Sequence, residues 1–267
     1  MNSRSKHTKI LQKVERNKKA KLAQEEDNVV AANNEYRQIF ADIRSLERLI
    51  EKYQLNRIIE TESLNNMVGK EKDFSKCSIE VIFNVTSSSQ KPNPKVKFLN
   101  ISMVLNYEFN KNKDKTHDTF SKYGFNLAIK GYNKETDQDK KYFCWHLDRE
   151  PQTDGRFIHP LYHFHAGGSL MSNKVDEAYD DFVISSPRLA HPPMDVILSI
   201  HFLIQNFING NEIKEKIELL SDDDYINIIE RAQKRVLDPY FDSISDKTKQ
   251  YEDYNKSNLF PLYVCIK

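Results

Sequence analysis

Cysteine is scarce in this chain of 267 residues. There are three, Cys77, Cys144 and Cys265, odd in number and far apart. No Cys-x-x-Cys occurs, so neither a disulfide framework nor a thiolate zinc site can be read, and a reducing compartment is expected. A long hydrophobic run is missing too. The most apolar stretch, Met194 to Ile208, carries Asp195, His201, Gln205 and Asn206 and is too short and too polar to span a bilayer. The charged N-terminus lacks the apolar h-region of a secretory signal. These absences predict a cytoplasmic protein with no membrane partner. Net charge is nearly absent, at +1, which argues against nucleic-acid binding by the whole surface. Glycine numbers seven against abundant Lys, Asn, Asp and Ile, a composition typical of AT-rich microbial genomes. No internal repeat is found.

Apolar residues make up 39% and charged residues 30%, which allows a core while leaving part of the chain outside it. The first 66 residues hold neither proline nor glycine, which favours helix or disorder over strand. Residues 4 to 21 concentrate basic charge: Arg4, Lys6, Lys9, Lys13, Arg16, Lys18, Lys19 and Lys21 stand against Glu15 alone. Such an arm suits nucleic acid or an acidic protein partner. Further on, Ile39, Ile43, Leu46, Ile50 and Tyr53 form one apolar stripe at helical spacing.

From Phe74 the pattern changes. Segments 77–86, 95–109, 123–132 and 141–148 are rich in Val, Ile, Phe and Tyr and are separated by polar loops, which predicts four consecutive strands. A short strand is predicted near Leu161–His165. A buried helix is predicted over Met194–Ile208 after Pro192-Pro193. A last helix is predicted to start at Ser221 as N-cap, with Asp222, Asp223 and Asp224 in its first turn, and to end at Asp238-Pro239. The fold class read from this is α+β: a long N-terminal helix, a four-stranded antiparallel meander, and two C-terminal helices packed on the sheet. The divisions expected are 1–34, a basic helical or disordered arm; 35–245, the α+β domain; and 246–267, a C-terminal tail.

Five of the eight histidines fall between His146 and His191. Strand side chains alternate faces, so His146 and Asp148 share one face with Cys144, opposite Phe143, Trp145 and Leu147. His163 and His165 likewise share a face opposite Tyr162 and Phe164. If the two strands are neighbours, His146, Asp148, His163 and His165 converge as candidate ligands for a divalent transition metal such as Zn, Mn, Fe or Ni. A metal-bound water would then serve a hydrolase or nuclease, with His159 or His191 as candidate acid or base. The alternative is that these histidines only hydrogen-bond within the fold. Gly167-Gly168 suits either close approach to a ligand or a turn with positive φ. His201 reads as a core histidine.

Several short stretches carry a resemblance. His159-Pro160, Ser186-Pro187-Arg188-Leu189, Val196-Ile197-Leu198-Ser199-Ile200, and Asp224-Tyr225 through Ala232 stand in an order of elements similar to that of the ubiquitin-conjugating enzymes, over residues 35–240. The departures bear on function. Leu161 stands where that family has asparagine. Gly167-Gly168-Ser169-Leu170 stands where its catalytic cysteine is expected, and no cysteine occurs between Cys144 and Cys265. The resemblance therefore implies a non-catalytic binding module that works with a protein partner in a larger complex. Metal-dependent hydrolysis at the histidine cluster and nucleic-acid binding through the basic arm are the two alternatives.

Overall fold

A computed structural model describes residues 37–61, 64, 76–86, 96–110, 118–132, 141–150, 160–167, 187–208 and 210–245. The chain divides into two units, Met1–Ala41 and Asp42–Lys267. In the first, the described residues 37–41 are helical. The basic side chains of residues 4–21 and the C-terminal tail lie outside the described residues.

The second unit is α+β, but its sheet is larger than the four-stranded meander predicted. Among the described residues, seven antiparallel strands follow one another in sequence order. They are β1 (Ile59–Glu60), β2 (Lys76–Thr86), β3 (Phe98–Phe109), β4 (Phe120–Tyr132), β5 (Lys141–Arg149), β6 (Tyr162–Ala166) and β7 (Leu189–Ala190). The sheet outgrows the prediction because β1 and β7 are too short to show a period of two. Each is held instead by its neighbour, Ile59 opposite Phe83 and His163 opposite Ala190.

Alternation builds the two faces of the sheet. Cys77, Ile79, Val81, Phe83 and Val85 of β2 are buried, as are Leu99, Ile101, Met103, Leu105 and Tyr107 of β3. One row runs across six strands as Ile79, Leu105, Phe125, Leu147, Phe164 and Leu189. The row on the other face reads Ser78, Asn106, Gly124, Asp148, His163 and Ala190. This is the pattern of an antiparallel sheet with one face on the core and one toward water. A bulge adjusts β4: Glu108 pairs with Lys122 and Phe109 with Phe120, so Ser121 is skipped. Phe120 and Tyr123 both reach the core by that device.

Four helices accompany the sheet among the described residues. The first, α1, is described over residues 37–52. Gln54 at φ 56 turns the chain, a 3-10 turn Leu55–Arg57 follows, and the backbone enters β1. The C-terminal helices are three where two were predicted: α2 (Val196–Phe207), α3 (Ile213–Leu220) and α4 (Asp223–Ser245). The apolar side chains of α2 lie on the core face of the sheet, where Phe202 meets Phe125 and Phe164 at 6.2 Å. Asp195, which caps α2, accepts from the Leu198 amide at 3.0 Å.

Two predicted helix ends move. Ser221 closes α3, its hydroxyl donating to Ile217 O. Asp222 caps α4, accepting from the Asp224 amide at 2.9 Å. Pro239 does not end α4, which continues to Ser245. Proline removes one donor from the helix ladder, and a helix packed along its length absorbs that loss: Val236 and Tyr240 on either side are buried. No helix among the described residues is long and apolar enough to cross a membrane.

Candidate metal centre

The sheet register decides which side chains meet. β5 and β6 are neighbours, with His146 opposite His165 and Asp148 opposite His163. All four lie on the face that carries Asn126 and Gly124 of β4. His165 stacks between the other two rings, with centroids 5.1 Å from His146 and 5.3 Å from His163. Gly124 of β4 lies beside Asp148, and a Cβ there would make only ordinary contact, 3.8 Å from Asp148 Oδ1.

Asp148, His163 and His165 each offer one ligand atom, and these lie within 4.8 Å of one another. His165 Nε2 is 3.2 Å from Asp148 Oδ2. His163 Nδ1 donates to the Pro160 carbonyl at 3.0 Å. That bond fixes the tautomer, so the lone pair of the neutral ring sits on Nε2. A backbone carbonyl orienting the far nitrogen is the usual support of a metal-ligating histidine. Metal–ligand bonds of about 2.0–2.2 Å hold ligand atoms within about 4 Å of each other, so a small side-chain movement closes this set. His163 is buried, while Asp148 is half-buried and gives solvent access to the site.

His146 is not part of the group. Both its ring nitrogens are engaged, Nδ1 with the Asn126 carboxamide and Nε2 with Gly167 O, at 2.5 Å each. Burial pushes this imidazole below its ordinary pKa, so the ring is neutral. A neutral ring has one N–H, and a carbonyl can only accept, so Nε2–H donates to Gly167 O. Nδ1 faces the Asn126 carboxamide oxygen on the neighbouring strand. Cys144 Sγ donates to the same carbonyl at 2.8 Å and is buried. Gly167 adopts φ 93, which turns its carbonyl toward these two donors.

The other predicted site residues stand elsewhere. His191 donates from Nδ1 to Pro192 O at 2.6 Å and packs on Phe164, a side chain of the core face. His159 and the basic residues Arg4, Lys6, Lys9, Lys13, Arg16, Lys18, Lys19 and Lys21 lie outside the described residues. His201, on α2, bonds to the Tyr225 hydroxyl at 2.8 Å.

The sequence reading missed the brace beside the site. Arg149 and Tyr162 are the register partners that follow Asp148 and His163. Both converge on Asp118, Arg149 Nε at 3.0 Å from Oδ2 and the Tyr162 hydroxyl at 2.6 Å from Oδ1. Burial pushes the Asp118 carboxyl up, and Arg149 opposes it. A partner 31 residues from Arg149 and 44 from Tyr162 leaves no local signal in the sequence. No protein family model matches this chain, and neither does any curated protein or solved structure.

Proposed function

We propose that this protein binds a divalent transition metal through Asp148, His163 and His165. The observation that carries the reading is the mutual approach of these three ligand atoms on adjoining strands. The His163 Nδ1–H bond to Pro160 O supports it. Two imidazoles and one carboxylate suit Zn, Mn, Fe(II) or Ni, and such a set leaves coordination positions for water or substrate. A metal so held lowers the pKa of its water toward neutrality and supplies a nucleophile for hydrolysis. Asp148, as the half-buried member, lies toward solvent and any entering substrate.

Elemental analysis of the full chain, purified without chelator, tests this. About one equivalent of transition metal per chain is expected, falling at least about tenfold in His163→Ala and in Asp148→Asn. Cobalt(II) added to the chelator-stripped protein should give visible d–d absorption that either variant loses. Less than about a tenth of an equivalent, with no cobalt absorption, overturns the metal reading. The chain would then stand as a non-catalytic binding module whose histidines serve the fold.

A further inference from the structure

Away from the histidines, α1 and α4 run antiparallel and flank an open cleft of about 360 Å³. Each helix presents four residues at the same spacing. Ser45, Arg48, Leu49 and Lys52 come from α1; Asp224, Asn227, Ile228 and Arg231 come from α4. Positions i, i+3, i+4 and i+7 share one helix face, so both rows point into the gap. Leu49 and Ile228 are buried and form an apolar floor.

Ion pairs pin both ends. Lys52 Nζ and the Tyr53 hydroxyl each reach Asp222 Oδ2 at 2.7 Å. Arg231 meets Asp42 Oδ1 through Nε at 3.0 Å and Nη2 at 2.7 Å. Arg48 lies between them and differs. Its guanidinium donates to Arg44 O at 3.3 Å and to Ser45 Oγ at 3.0 Å. Among the described residues no carboxylate stands within ion-pairing distance of it. The cleft therefore holds a central cation that makes no ion pair among the described residues, with neutral hydrogen-bonding groups in Ser45 and Asn227. Asp224 adds an acceptor suited to hydroxyl groups.

We propose that this cleft binds a small sugar phosphate, with the phosphate on Arg48 and the hydroxyl-bearing body toward Asp224 and the Leu49–Ile228 floor. Guanidinium matches phosphate oxygens through paired N–H groups. The volume lies near the lower end for ligand sites, which run from about 300 to 1,000 Å³ and favour a compact ligand. This site is independent of the metal reading.

Calorimetric titration of the full chain tests it, in EDTA so that phosphate on a bound metal cannot contribute. The probes are ribose 5-phosphate, inorganic phosphate and ribose at one ionic strength. Ribose 5-phosphate should bind more tightly than either fragment. Arg48→Glu should weaken it by about tenfold or more with an unchanged Tm. Arg48 is exposed, so that variant is expected to fold. Absence of binding at millimolar ligand, or undiminished binding in Arg48→Glu, overturns the proposal. Inorganic phosphate binding as tightly as ribose 5-phosphate overturns the sugar assignment.

Discussion

Gly167 shows how much one residue can set in this site. Its φ of 93 turns a carbonyl toward His146 and Cys144, and that backbone region is one that L side chains enter at a cost. Space is not the constraint, since nothing lies within 4 Å of where a Cβ would be. Gly167→Ala should therefore cost about 1–2 kcal/mol through conformation alone. Urea denaturation measures it; a neutral result would mean that the turn relaxes freely and that the two donors do not need its carbonyl. Residue types and strand parity in the sequence already set His163, His165 and Asp148 apart from the aromatic face. The exclusion of His146 was not legible. It depends on Asn126, which lies 20 residues away, and on a backbone oxygen that no side-chain pattern encodes.

Among the elements, three helices are joined by one buried guanidinium. Arg235 of α4 meets Asp195, the cap of α2, at 2.6 Å, and Asp42 of α1 at 3.6 Å. Both carboxylates are essentially inaccessible to solvent. Removing the cation leaves Asp195 buried without its charged partner, while Asp42 keeps Arg231, so Arg235→Ala should lose about 3–5 kcal/mol. A urea midpoint shift equivalent to less than about 1 kcal/mol would show that water or another cation replaces it. The apolar run of α2 and the stripe of α1 were readable from spacing. The short helix α3 was not: its Ile213 and Ile217 are exposed, and Leu219 is its only apolar residue in the core. Pro239 misled for a related reason, because a local rule about helix ends yields to packing along the whole helix.

The molecule as a whole carries several buried imidazoles. Burial lowers His146, His191 and His201 below the ordinary value of 6.5, and Lys216 adds to the effect at His201. With each folded pKa below its unfolded value, the unfolded chain takes up protons first. The stability these neutral rings allow is complete above about pH 6.5 and is lost as pH falls from there through the folded values. Tm should thus decline between pH 7 and 5 in EDTA, and His201→Gln should flatten part of that decline. A Tm that holds level or rises over this interval would contradict neutral burial of these rings.

The sequence by itself determined the α+β class, the alternating faces of the central strands, and the residue types available for a metal. These follow from local periodicity, which each segment carries independently. Only the tertiary structure decided that seven strands join the sheet among the described residues. It alone set Asp148, His163 and His165 within reach of one another while engaging His146, and moved His191 to the opposite face. Strand order, register and the reach of buried polar groups depend on partners distant in the chain, and hydrophobic spacing within a segment does not specify them.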